Sequence, residues 1–258
     1  MDLEVETKKV REDAAREFGV APEIHADDML WRFLLHHPAY PTAEAATRHY
    51  FANGAESARK LEMIIDEHLP VLASSHRVSL LEFASGYGMV TRHLANVPSL
   101  AKLVACDIHP EAVEFIHDRL RQPALVSRHV PEELIFDESF DVVFALSFFS
   151  HMPEASFERW LSTLFSAVRL GGVMVFTTHG LISKALFGDL AIGENGFLFK
   201  PSSEQADLDP TEYGSSLATP AYVASQLARL PGSSLAEFRR GYWWQHQDLY
   251  IVTRVAST

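Results

Sequence analysis

Apolar positions fall along this chain in two regimes. Over the first seventy or so residues they recur at helical spacing. Lys8 to Phe18 reads as a short charged helix, and Ile24 to His36 carries Met29, Leu30, Phe33 and Leu34 on one face until Pro38 and Pro41 stop it. Thr42 is a fitting N-cap with Glu44 in the first turn, and a long helical pattern follows from Ala43 to about His68, with a break expected at Asn53-Gly54. From Val78 onward, short apolar runs alternate with helical patterns. Val78–Phe83, Leu103–Cys106, Ala124–Ser127, Phe140–Ser147 and Val173–Thr178 read as strands. The helices between them are Val90–Ala95, Glu111–Arg121 and Ser156–Arg169, the last stopped by Gly171-Gly172. Phe140–Ser147 is apolar on both faces, as a strand covered on two sides should be. Strands alternating with helices imply a parallel sheet with helices on both faces.

After His179 the pattern fails: Leu181 to Ser216 has no clear period, and an insertion of that length is expected to be a lid or disordered. Pro220 to Leu230 is helical again. Leu235–Arg239 and Asp248–Val255 then read as strands joined by Gly241-Tyr242-Trp243-Trp244-Gln245-His246, a link too short for a crossover, so the last strand should run antiparallel. The expected fold is therefore α/β: a seven-stranded, mostly parallel sheet with an antiparallel last strand. Residues 1–74 form an N-terminal helical cap on a main domain at 75–258, with 181–217 as the insertion.

Composition narrows the functions. The 258 residues are 47% hydrophobic and 22% charged, as in ordinary globular chains. A net charge of −12 repels phosphate backbones, which speaks against a nucleic-acid partner and for a small or neutral substrate, although acidity also simply serves solubility. A single cysteine, Cys106, excludes an internal disulfide and a zinc cluster. The stretch from Met1 to Arg16 has no apolar core of signal-peptide length, and no run approaches the ~18 apolar residues of a membrane span. A cytoplasmic protein with no membrane partner is expected.

The sharpest motif is Glu82-x-Ala84-x-Gly86-x-Gly88 between a strand and a helix, with Tyr87 inside it. Small residues let the backbone approach a nucleotide cofactor, and the helix that follows offers free N–H groups. Asp107 ends the next strand about 20 residues on, where a carboxylate can accept ribose hydroxyls. A dinucleotide site would want a third small residue near Thr91, and Glu82 would repel a pyrophosphate but suit the ammonium of a methionine moiety. The electrostatics favour S-adenosyl-L-methionine. The plain alternatives are a tight loop in another α/β fold and, for Asp107, a helix N-cap.

The stretch from Leu80 to His179 resembles the class I, Rossmann-like S-adenosylmethionine-dependent methyltransferases. Leu81-Glu82-Phe83-Ala84-Ser85-Gly86-Tyr87-Gly88 is similar to their first motif and Val104-Ala105-Cys106-Asp107-Ile108 to their second. Asp137 to Val143 resembles the entry to the fourth strand, and Leu170 to Phe176 the fifth. The resemblance implies that Glu82 holds the methionine amino group and that Ala84, Gly86 and Gly88 pass under the cofactor. It places Ile108 against adenine beside Asp107 on the ribose, and Leu146 near the sulfonium. Ala84 stands where glycine is usual, and Val130 falls where an acid often binds adenine, so Val130 and Pro131 would offer only backbone and apolar contact.

Ligands of open parallel sheets bind at the carboxyl ends of the strands. His151, His179 and His246 are expected there, with His151 as general base for a hydroxyl acceptor, since imidazole titrates in the right range, and His179 second. Trp243, Trp244 and Tyr213 are candidate contacts to a partly apolar acceptor such as a sugar or natural product. For each, ordinary packing is the alternative. The N-terminal helices either cap the site or pair two subunits. A regulatory or scaffold protein that only binds the cofactor is a competing reading. So is an NAD-dependent oxidoreductase, which would lack its third small residue and a Tyr-x-x-x-Lys pair.

Overall fold

Asp28 and Thr42 each open a helix by accepting a main-chain hydrogen bond. Asp28 Oδ1 accepts from Trp31 N at 3.0 Å at the head of α2, Met29–His36, and Thr42 Oγ1 accepts from Ala45 N at 3.1 Å at the head of α3, Ala43–His68. The computed structural model describes residues 3–202, 205 and 207–256. The chain divides into two compact units, Met1–Ser127 and Arg128–Thr258.

In the first unit α1, Leu3–Phe18, and α2 both pack on α3, which is followed by the short α4, Pro70–Ser74. Three parallel strands come next: β1, Val78–Phe83, β2, Leu100–Asp107, and β3, Ala124–Val126, with β2 in the middle. They are separated by α5, Thr91–Leu94, and α6, Pro110–Arg119. All of β1 but Ser79 is buried, which explains its run of apolar residues. α3 is unbroken at Asn53-Gly54, contrary to expectation. A Cβ on Gly54 would stand 2.3 Å from the Met89 carbonyl oxygen and 2.8 Å from His93, so this glycine serves a close approach, not a helix end.

The second unit begins with a 3-10 helix at Pro131–Glu133, tied to α7, Glu154–Ser166, by the paired bonds of Arg159 to Glu132. β4, Phe140–Ala145, is buried throughout and runs parallel to β5, Val168–His179. β9, Gln247–Arg254, lies antiparallel between β5 and β8, Ser233–Trp243. α8, Pro220–Leu227, precedes that pair. Gly171 and Gly172 do not stop α7; they lie inside β5, where Gly171 has φ +80° and a Cβ on Gly172 would come 2.6 Å from the Asp141 carbonyl oxygen. They allow the register shift between β4 and β5 at Phe140–Val142.

The fold is α/β, with a mostly parallel sheet mixed with antiparallel strands and flanking helices, but it has nine strands instead of seven. The additional two come from the insertion: β6, Phe197–Lys200, and β7, Ser215–Ala218, pair antiparallel, and β7 meets the end of β5 at His179 and Leu217. Four residues are too few to show a period. β7 is held from outside, with Ser216 N and Oγ donating to the carbonyls of Ser150 and Phe149 at 2.7 and 2.9 Å. Among the described residues no helix is long and apolar enough to cross a membrane.

Candidate functional site

The turn after β1 reverses tightly, with Ala84, Gly86 and Gly88 at φ +56°, +54° and +78°. A Cβ on Gly88 would strike Leu120 Cδ1 at 2.4 Å, so this glycine is fixed by packing against the end of α6. A Cβ on Gly86 would meet nothing within 4 Å; the turn is open on that side. Asp107, at the end of β2, is buried and ties the turn down, accepting from Gly86 N at Oδ2 (2.7 Å) and from His109 N at Oδ1 (3.0 Å), with His109 Nδ1 also 2.8 Å from Oδ1. Oδ2 retains a lone pair for a further donor. Ile108, next along, is half-buried.

Glu82 lies at the floor of the same turn. It is buried and accepts from Thr91 Oγ1 at 2.6 Å. Burial, with the Asp107 carboxylate adding to it and the Thr91 hydroxyl opposing it, pushes its carboxyl up to about 8. Near neutral pH the buried carboxyl is therefore mostly protonated, and a cation brought beside it would favour its ionised form. Tyr87 stacks on His25 with ring centroids 4.5 Å apart, and burial followed by the surrounding carboxylates of Asp27, Glu111, Asp28 and Asp107 pushes its phenol up to about 12. The nearby guanidinium of Arg92 donates to the carbonyls of Gly88, Ala21 and Glu23, pinning the segment before α2 to the turn.

In the second unit three imidazoles stand in a row. His151 and His179 have ring centroids 6.3 Å apart, and His179 and His246 5.7 Å. His151 Nδ1 is 2.7 Å from the Gly214 carbonyl oxygen, so the neutral ring keeps its proton there and its lone pair on Nε2; Tyr213 stacks on it at 4.6 Å. Gly214 and Tyr213 belong to the insertion, which thereby reaches the His151 ring. Burial, then the neighbouring His151 and His246, push His179 down to about 3. His246 has Nδ1 2.9 Å from the Trp244 carbonyl oxygen and stacks with that indole.

Leu146 is half-buried just past β4. Trp243 is fully buried against Phe144 at 5.5 Å, a core side chain with no surface to offer. Val130 is exposed and Pro131 buried at the head of the 3-10 helix, away from any carboxylate role by their chemistry. Two residues not singled out in the sequence are prominent here. Ser147, at φ +57°, and Gln247, buried at 1% exposure, join Thr177 in a closed set of hydrogen bonds. An isolated serine and glutamine carry no spacing signal; only the β5–β9 register, which sets His179 opposite Gln247, reveals them.

Residues 81–174 match the family model described as a methyltransferase domain. No curated protein sequence gives a significant match to the chain. Among solved structures, magnesium protoporphyrin IX methyltransferase from Synechocystis PCC 6803, with bound SAH, superposes with a TM-score of 0.58 at 14% identity, over 96% of this chain and 99% of that one. The 1,6-didemethyltoxoflavin-N1-methyltransferase of Burkholderia thailandensis gives 0.55 at 13%, over 79% of each chain. An amino pentose methyltransferase from Micromonospora echinaspora, with SAM bound, gives 0.55 at 13%, over 78% of this chain and 92% of that one. The fold is that of the class I S-adenosylmethionine-dependent methyltransferases.

Proposed function

We propose that this chain, which carries a methyltransferase domain, moves the methyl group of S-adenosyl-L-methionine to a hydroxyl of a small-molecule acceptor such as a sugar or natural product. The observation that carries the donor half is the pairing of two buried carboxylates around one open turn. Glu82, raised to about 8 by burial and the Asp107 carboxylate, would gain most from an ammonium, and Asp107 keeps acceptor capacity for a ribose hydroxyl. The open side of Gly86 is where such a ligand would lie against backbone, and Ile108 and Tyr87 would cover its apolar parts. The bound sulfonium supplies an electrophilic methyl carbon, so the protein's own task is positioning and the removal of one proton.

That proton goes to His151. Its Nδ1 is committed to Gly214 O, which leaves Nε2 as the basic atom. His179, pushed to about 3, has too little affinity for a proton to serve near neutrality. Tyr213 and His246 would lie along the acceptor, and Trp244 beside His246 would add an apolar edge. Val130, Pro131 and Leu146 are proposed as apolar contacts to the cofactor, as the family resemblance places them.

Calorimetric titration with S-adenosylmethionine, its demethylated product and NAD tests the donor half: we expect the first two to bind and NAD to stay out. Binding of NAD alone would overturn it. A His151→Ala enzyme that kept its full rate through neutral pH would remove that residue as the base.

A further inference from the structure

Gln247 begins β9 directly opposite His179 at the end of β5. Its side chain is 1% exposed and every polar atom on it is committed. Thr177 Oγ1 donates to Gln247 Oε1 at 2.6 Å, and Thr177 Oγ1 itself accepts from Ser147 N at 2.8 Å. Gln247 Nε2 donates to Ser147 Oγ at 2.8 Å, closing a ring through three strands' ends, and comes within 3.4 Å of His179 Nε2. The direction of donation follows from the chemistry of the amide: with Oε1 taken by a hydroxyl, its nitrogen can only give protons. His179 Nε2 must then be the lone-pair side of its ring.

Two consequences meet at the acceptor side. Ser147 is held in a left-handed conformation, φ +57°, which a serine does not adopt without outside support. Ser150 Oγ spends its proton on the Ser147 carbonyl at 2.7 Å, so the 3.0 Å contact between the two hydroxyls is a donation from Ser147. Ser147 Oγ, half-exposed and one residue past Leu146, thus has its proton used and a lone pair left over. We propose that Gln247 is the positioning residue of the acceptor side: its single amide orients Ser147 Oγ to accept from the incoming X–H group and holds His179 as a hydrogen-bond acceptor at Nε2, which reserves proton removal for His151.

This inference rests on the methyltransferase reading for the role of Ser147, but the state of His179 can be measured without any acceptor. The titratable groups facing His179 are His151 and His246, and the Asp248 carboxylate is engaged by Gly241 N at 2.8 Å. Histidine ring nitrogens of the full chain would be followed by NMR across the range in which free imidazoles titrate, with His179→Gln to assign the signal. In the unaltered protein His179 should remain neutral, protonated on Nδ1. Gln247→Glu offers only acceptors, so His179 should move its proton to Nε2 and titrate at least about one pH unit higher. If Gln247→Glu does not fold, Gln247→Met, which removes the donor without adding charge, should shift His179 upward by less. An unaltered His179 protonated on Nε2, or one that ignores the substitution made, overturns the proposal. Parallel titration with S-adenosylhomocysteine should give the same affinity for the unaltered and the substituted chains; failure of both to bind would count against the methyltransferase reading alone.

Discussion

At the scale of the residue, Glu82 is the group whose chemistry most constrains the protein. Its folded carboxyl at about 8 lies above the ordinary 4.5, so the unfolded chain gives up its proton first as pH rises. Folding then favours low pH: the Glu82 contribution is present below 4.5 and is lost as pH climbs through about 8. The ligand-free protein should therefore lose thermal stability across that window, and Glu82→Gln should flatten the loss. A bound ammonium would reverse the balance by favouring the carboxylate. Titration with demethylated cofactor near neutral pH in buffers of differing ionisation enthalpy should accordingly show proton release, absent in Glu82→Gln. That variant should also bind roughly ten- to a hundredfold more weakly, the loss of a charged hydrogen bond. His179 runs the other way. Held near 3, below the usual 6.5, it adds stability that is present above 6.5 and declines as pH falls toward 3. Urea midpoints measured down the acid range should fall less steeply for His179→Gln.

At the scale of the element, glycines decide where helices and strands can lie. Gly→Ala in an exposed helix interior would stabilise by about 1 kcal/mol. In α3 the sign should invert, because the added methyl at Gly54 meets the Met89 carbonyl and the His93 ring. We expect Gly54→Ala to cost about 1–3 kcal/mol in urea unfolding, the range for overpacking a close contact. The strand Val78–Phe83 was legible to the residue because Val78, Leu80, Leu81 and Phe83 hold most of its length, as a strand buried on both faces requires, with Ser79 its one partly exposed position. Gly171-Gly172 was legible as a break but not as the kind of break: the same pair ends a helix or bends a strand, and only the Asp141 carbonyl beside Gly172 chooses. β6 and β7 left no trace, since Ser216 takes its place through partners distant in the chain, Phe199 across the β6–β7 ladder and the carbonyls of Phe149 and Ser150.

At the scale of the whole molecule, 34 acidic residues against 22 basic ones set what can approach. A field of that sign opposes polyanions, and labelled single-stranded RNA or duplex DNA should show no salt-dependent anisotropy change at low ionic strength. Tight binding that weakened steeply with salt would overturn the small-molecule acceptor. The geometry of the turn proposed for the donor could be read from the sequence because its parts are local: Glu82 through Gly88 is one turn, and Asp107 follows at the end of the adjacent strand. Its chemistry is written in main-chain conformation, which small residues announce. Of the proposed acceptor half, only the meeting of His151, His179 and His246 was legible, from their places at strand ends. His151, His179 and Gln247 are far apart in the chain, Gly214 comes from an insertion without a pattern, and the proton on each imidazole depends on which atom faces it. Sequence by itself determined the layered fold and the tight turn after β1, because both rest on periodicity and on residues a few positions apart. How deeply His179 is buried and which nitrogen of His151 faces the Gly214 carbonyl were decided only by the tertiary structure, because burial and hydrogen-bond partners exist only once distant strands are brought into register.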